Sequence, residues 1–223
     1  MDIDLKKNYT CCDAIIAGEK LLLHPLKAIW WERVKTLLIA DLHLGKQGHF
    51  RKEGIPVPET VAEKNWAHLR YLLDEFQPET VIFLGDLFHS HMTQEWGDME
   101  LLVKIYPHIR FELVIGNHDK MPEFIYRQAG IGIHAQHLIL PPFIISHEPL
   151  ETADEQYYNL AGHIHPAVRL AGKGYQFHRA ACFWFKERCG VLPAFGQFTG
   201  LYSVHPKATD KIYVVVQQIV LHM

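Results

Sequence analysis

The stretch TLLIADLH, Thr36 to His43, begins as a short apolar run and closes on an aspartate and a histidine two residues apart. A continuous apolar run of this length suits a strand buried on both faces, and its abrupt polar end suits a chain leaving a sheet. The form returns four times. TVIFL (80–84) is followed by Gly85-Asp86, FELVI (111–115) by Gly116-Asn117-His118-Asp119, PFIIS (142–146) by His147, and YNLA (158–161) by Gly162-His163-Ile164-His165.

What lies between these runs sets the connection. In PETVAEKNWAHLRYLLDEFQ (58–77), Val61, Ala62, Leu69, Leu72, Leu73 and Phe76 fall near a helical period, which predicts a crossover helix. TQEWGDMELLVKIY (93–106) predicts a second helix, with Gly97 weakening its start. Strand, helix, strand, helix, strand implies an α/β fold with a parallel sheet and right-handed crossovers. After about residue 170 the runs YQFHRAACFWFK, GVLPAFGQFTG and KIYVVVQQIVLHM are closely spaced, which predicts an antiparallel, β-rich second sheet packed on the first. There is no repeat, low-complexity tract or linker, so one domain over 1–223 is expected.

Composition narrows the function. With 48% hydrophobic and 21% charged residues the chain is ordinary for a globular protein. A net charge of -3 gives no overall basic field, so any contact with a polyanion must be local. Cys11, Cys12, Cys182 and Cys189 form no C-x-x-C pair or disulfide framework, which favours a reducing compartment. The start, MDIDLKKNYT, has no apolar core, and LLLHPLKAIWW is broken by His24, Pro25 and Lys27, so neither reads as a signal peptide. No segment approaches the roughly 20 apolar residues of a membrane span, and a cytoplasmic, soluble protein is expected. Histidine, with 16 copies, is the outlier, and it points to metal or proton chemistry.

In open α/β sheets the ligand crevice lies outside the carboxyl ends of the strands, so the five polar loops can converge. They offer two carboxylates (Asp41, Asp86), one amide carbonyl (Asn117) and four imidazoles (His43, His147, His163, His165). Seven groups are too many for one tetrahedral zinc and enough for two metals. Asp86 is the candidate bridge, because a carboxylate can span ions roughly 3.5 to 4 Å apart. In extended backbone residues i and i+2 share a face about 6.5 to 7 Å apart, so His163 and His165 can each reach a different ion. All-N/O coordination rich in imidazole suits manganese, iron, zinc or nickel better than magnesium.

Two divalent ions against two carboxylates and a bridging hydroxide leave about one positive charge, which attracts a phosphate; bridging also brings the water toward ionisation near neutral pH. His118 is expected to face substrate and to stabilise the transition state or protonate the leaving oxygen. Asp119 is a candidate to orient it, and His89 to flank the same phosphate. Lys46, His49, Arg51 and Lys52 in GKQGHFRK are candidates for contacts to flanking phosphates. His24, His68, His108, His134, His137, His178, His205 and His222 lack such placement and are expected on the surface or in the core. Cys182 and Cys189 are expected as packing thiols, and FWF (183–185) and AFGQF (194–198) as β core.

The ordered set D-x-H, G-D, G-N-H-[DE], H and G-H-x-H resembles the motif set of the calcineurin-like metallophosphoesterases. The resemblance implies Asp41, His43, Asp86 and His165 on one metal, Asp86, Asn117, His147 and His163 on the other, and His118 as the catalytic histidine. It implies a four-layer αββα sandwich, with two mixed β-sheets flanked by helices. GDLFHSHM lacks the Asp-Arg-Gly of the superfamily's serine/threonine phosphatases, whereas GDLFH with GNHD is similar to its double-strand-break repair nucleases, which implies that His89 helps position substrate. HPLKAIWWERVKTLLIADLHLGKQGHFRKEGIPVP (24–58) and LPAFGQFTG (192–200) resemble the bacterial ligase-associated DNA-damage-response endonucleases, with Leu201 where a second glycine often stands. That resemblance implies manganese-dependent phosphodiesterase or DNA end-processing activity beside an ATP-dependent DNA ligase, a helicase and an exonuclease. The alternatives are the same chemistry on a small nucleotide-like phosphoester, or a non-catalytic scaffold, which would lose ligands or the catalytic histidine.

Overall fold

The computed structural model describes residues 8–46, 60–89, 94–151, 154–171, 177–197 and 199–223. The first sheet has seven strands in chain order: β1 (Cys12–Ile16), β2 (Glu19–His24), β3 (Ala28–Trp31), β4 (Thr36–Ile39), β5 (Thr80–Leu84), β6 (Arg110–Val114) and β7 (Ile131–His134). β1 to β4 pair antiparallel, and β4 to β7 pair parallel. The parallel strands need crossovers, and helices α1 (Thr60–Phe76), α2 (Gln94–Ile105) and α3 (Glu123–Gln128) supply them. Both long helices fall within a residue or two of where the apolar period puts them.

Alternation along the parallel strands explains the layers. Leu37, Ile39, Val81, Phe83, Phe111 and Leu113 point to the helices, where Trp66, Leu69, Leu72, Leu73, Trp96, Met99, Leu102 and Tyr126 meet them. Leu38, Ala40, Ile82, Leu84 and Val114 point the other way, into a core shared with Phe143, Ile145, Leu160, Phe183 and Phe185 of the second sheet. Burial of each large apolar side chain contributes roughly 1.5–3 kcal/mol, so this inter-sheet layer is a major source of stability. All three described α-helices lie on the first sheet. The outer face of the second carries a smaller cluster that includes Val168, Cys182, Val204, Ile212 and Val214.

The second sheet is mixed: β8 (His137–Leu140), β9 (Phe143–Ser146), β10 (Tyr158–Ala161), β11 (Pro166–Ala171), β12 (Phe177–Phe185), β13 (Cys189–Val191), β14 (Tyr202–Ser203), β15 (Lys211–Val216) and β16 (Ile219–His222). It begins at His137, well before the change expected near residue 170. β9 and β10 run parallel and are buried on both faces, so their composition matches that of β4 and β5 although they belong to the other sheet. The sequence also offers no sign that residues 12–31 form three strands. LLLHPLKAIWW is β2, a turn over Pro25 to Lys27, and β3, with Lys27 in the left-handed region. No helix among the described residues is long and apolar enough to cross a membrane.

Candidate metal centre

β4, β5 and β6 are parallel, as are β9 and β10, and the loops after all five strands meet at one end of the sandwich. The loop backbones bond to one another beyond the strand ends. Asp41 N donates to Gly85 O (3.3 Å), His43 N to Asp86 O (2.9 Å), and Gly162 N to His147 O (2.9 Å). The two sheets touch at Gly162, where a Cβ would come within 2.7 Å of Asp41 Oδ2 and 2.9 Å of the Ala40 Cβ. Glycine lets the loop pass.

Five of the seven candidate ligands have positive φ: Asp41 (53°), His43 (48°), Asp86 (50°), His163 (67°) and His165 (52°). Such backbone is costly for residues with a Cβ, least so for Asp, Asn and His, and it concentrates where geometry serves function. The left-handed turn ends each strand sharply and aims the side chain across the strand ends instead of along the sheet.

The ligand atoms form two groups. Asp41, His43 and His165 make one; Asp86, His147 and His163 make the other, and within each the atoms lie within 4.8 Å of one another. Asn117 joins the second, its Oδ1 2.9 Å from His147 Nε2. Asp86 stands between them: Oδ2 is 3.6 Å from His43 Nε2 and Oδ1 is 3.5 Å from His147 Nε2. His165 Nε2 lies 3.6 Å from Asp41 Oδ1.

Hydrogen bonds at the back of the site fix these side chains. His147 Nδ1 donates to Leu84 O (3.0 Å) and His165 Nδ1 to Gly200 O (3.2 Å), which fixes each ring and turns its Nε2 toward the ligand cluster. Both Asp41 oxygens accept from His163 N, at 3.1 and 2.9 Å, and Asp86 Oδ1 accepts from His118 N at 2.8 Å.

This donor set fits cations. His147 Nε2 lies 2.9 Å from Asn117 Oδ1 and 3.1 Å from His163 Nδ1, so three atoms able to ligate a cation converge at one point. Both ring nitrogens of His43 are buried without a hydrogen-bond partner among the described residues. Burial, with Lys46 and neighbouring histidines, pushes the pKa of His43 down to about 2, so the ring is neutral and competent to ligate. Unsatisfied buried nitrogens are costly, and a metal satisfies them.

His118 and His89 lie against this cluster, their ring centroids 5.3 and 5.5 Å from that of His43. His118 Nδ1 donates to the carbonyl of His89 (3.3 Å). Among the described residues that carbonyl is the hydrogen-bond partner of the ring, while the carboxylate of Asp119, the candidate the sequence offered, bonds elsewhere. Asp119 is buried, accepting from Phe88 N (3.1 Å) and Gly116 N (2.9 Å), and thereby ties the loop after β5 to the loop after β6. Its short side chain closes a local turn onto Gly116. Burial raises its pKa to about 7.

Lys46 is partly buried just beyond His43, and its pKa is lowered by burial against the opposing pull of Asp86 and Asp41. Arg51, with His49 and Lys52, lies outside the described residues. Two contributions escape the sequence reading. Residues 192–197, expected only as core or as a family likeness, back the site: Phe195 N donates to Ala40 O (2.8 Å) and Gly196 N to Asp41 O (3.2 Å). Lys27, within a run read as merely broken, sends Nζ to Gly196 O (3.1 Å), and burial pushes its pKa down to about 8. A lysine amid apolar residues is the one signal that could have flagged it.

Two mixed sheets with ligand-bearing loops at their shared end define a metallophosphoesterase. A profile of the calcineurin-like phosphoesterase family matches residues 34–186, and the chain belongs to that family. Among solved structures, the crystal structure of Pseudomonas putida nuclease MPE is similar over 96% of this chain and 100% of its own, with 28% identity and a TM-score of 0.78. Yfce, a phosphoesterase from E. coli, aligns over 83% of this chain and 96% of its own, with 13% identity and a TM-score of 0.45. Comparison with curated protein sequences gave no match.

Proposed function

We propose that the chain, one domain over 1–223, is a dinuclear metal-dependent phosphodiesterase that cuts phosphodiester bonds in DNA. The observation that carries this reading is the Asp86 carboxylate, whose two oxygens face two separate ligand groups. Asp41, His43, Asp86 and His165 would hold one ion, and Asp86, Asn117, His147 and His163 the other. Manganese is the metal proposed, with iron, zinc and nickel as competitors for an imidazole-rich site. When bound, two divalent ions supply charge for the phosphoryl oxygens and lower the pKa of water so that it can attack near neutral pH.

The chain's own residues do the rest. The amide of Asn117 sits where it can touch both metal and substrate. His118, its Nδ1–H held by the His89 carbonyl, presents Nε2 to the phosphoryl group or leaving oxygen. His89 supports that ring by stacking and flanks the phosphate, Asp119 acts at one remove through the loops it ties, and Lys46 and Arg51 are proposed to meet flanking phosphates. A nucleic-acid substrate is supported by the similarity to a structure described as a nuclease. A role in repair beside a DNA ligase, a helicase and an exonuclease, and a cytoplasmic setting, rest on the family likeness and cysteine usage of the sequence.

The test is hydrolysis of bis-p-nitrophenyl phosphate with Mn²⁺, where Asp86→Ala is expected to abolish activity. Equal rates in both proteins would sink the assignment. Labelled single-stranded, nicked and double-stranded DNA beside a panel of cyclic dinucleotides then separates the nuclease reading from a small-phosphoester one.

A further inference from the structure

We propose that the β11–β12 hairpin is a nucleic-acid clamp, in which Arg169 and Arg179 hold backbone phosphates of a strand whose reacting phosphate lies at the metal centre. This rests on the nuclease reading above and extends it from the reacting phosphate to its neighbours.

The hairpin overhangs the metal end of the sandwich. Ala161, at the end of β10, is level with Val191 of β13 and hence with Trp184 of β12. Because β12 runs antiparallel to β13, its residues before Cys182 continue past the point where His163 leaves the sheet. β11 starts immediately after His165 and runs outward beside them, with Ala167 opposite Ala181 and Arg169 opposite Arg179.

The facing follows from the period of two. Phe183 and Phe185 point into the inter-sheet core, and Cys182 into the outer cluster. Arg179 and Phe177 therefore share the side of Phe183, and Arg169 joins them across the ladder. Where the first sheet no longer covers it, the core-facing side becomes an exposed wall beside the metal centre; Phe177 is 57% exposed.

Two like charges directly opposite one another weaken a strand pair, so Arg169 and Arg179 serve the ladder poorly. Each is held by a neutral group: the Arg169 guanidinium lies 4.5 Å from the centroid of the Phe177 ring, and Arg179 Nη1 donates to Leu201 O at 2.9 Å. The Lys and Arg ion pairs among the described residues involve Lys20, Arg33, Lys35 and Arg127, and neither of these arginines. Their charges are fixed in place and, among the described residues, not paired with a carboxylate. β11 and β12 contain two bases, Arg169 and Arg179, and no acid, in a chain where acids outnumber bases 25 to 22. A local positive field on an acidic chain suits a polyanion that must also reach the metals. Four residue steps along an extended strand carry the chain from His165 to Arg169, roughly 13 Å, so the clamp meets a polymer a few nucleotides from the cut and not a small phosphoester seated on the metals.

The test uses the Mn²⁺-loaded full chain and reads binding without requiring cleavage. An oligonucleotide of about 20 nucleotides is added as a competitor of bis-p-nitrophenyl phosphate hydrolysis, from about 50 to 200 mM salt. For Arg169→Ala/Arg179→Ala, kcat and KM on the small diester should stay within about twofold of wild type. Ki for the oligonucleotide should rise at least about tenfold, and the slope of log Ki against log salt should fall by about 1 to 2. Arg169→Lys/Arg179→Lys should recover part of the affinity. An unchanged Ki, or a parallel loss on the small diester, overturns the clamp. A wild type that is inhibited by the oligonucleotide but never cuts it overturns the nuclease reading and leaves the clamp standing; a wild type that is not inhibited overturns the clamp.

Discussion

The ring of His118 stacks on that of His89, with 4.7 Å between centroids and 19° between planes, and its Nδ1 meets the His89 carbonyl at 3.3 Å. A carbonyl only accepts, so Nδ1 carries the proton and Nε2 is the nitrogen left for substrate. His118 is thus held by backbone from another loop, and its side chain is absent from both ligand groups. His118→Ala is expected to retain both metals by elemental analysis and to lose at least about a hundredfold in kcat on bis-p-nitrophenyl phosphate. A fall in metal content would mean that His118 holds the site together instead of acting on substrate.

Gly85 separates β5 from Asp86 with φ +78°, and a Cβ there would land on the His147 ring. A methyl group cannot be accommodated without moving a ligand that Leu84 O fixes from the other side. Gly85→Ala should lower the melting temperature and cut bound metal by about half, because the second ion loses His147 while the first keeps Asp41, His43 and His165. Full occupancy of both ions in that variant would contradict the placement of His147.

Asp119 bonds two buried amides from two different loops. In Asp119→Asn one of those amides faces an NH2 group, and an unsatisfied buried donor costs about 1–3 kcal/mol. Denaturant unfolding at pH 9, above the raised pKa of Asp119, should show a loss of that size, with metal content retained. A variant as stable as wild type would show that the two loops do not need this tie.

His24 is 2% exposed; its Nδ1 accepts from Leu26 N at 3.0 Å, and burial pushes its pKa down to about 4. The neutral ring is the native form. As pH falls below about 6.5 the unfolded chain takes up the proton first, so the stabilisation is full above that value and is lost as pH approaches 4. His24→Asn keeps an acceptor for the Leu26 amide and does not titrate. The stability difference between wild type and this variant should shrink in wild type's disfavour from pH 7 to pH 4, by up to about 3 kcal/mol. A difference that stays flat with pH would rule out His24 as a titrating core group.

The sequence by itself determined the elements of the first half and the chemistry of the site. Runs such as Thr80 to Leu84 and the period of Leu69, Leu72, Leu73 and Phe76 are local signals, set by which faces of a strand or helix must be buried. The identities of Asp41, His43, Asp86, Asn117, His147, His163 and His165 name the donor atoms on offer, and their place after apolar runs puts them at strand ends. Only the tertiary structure decided which sheet β9 and β10 join, since a strand buried on both faces has the same composition in either sheet. It alone decided the left-handed backbone at five of those residues, because Asp and His tolerate that conformation without requiring it. It also gave Lys27 and residues 192–197 their places behind the site and turned the Arg169–Arg179 face outward: contacts between segments far apart in the chain leave no periodic trace along it.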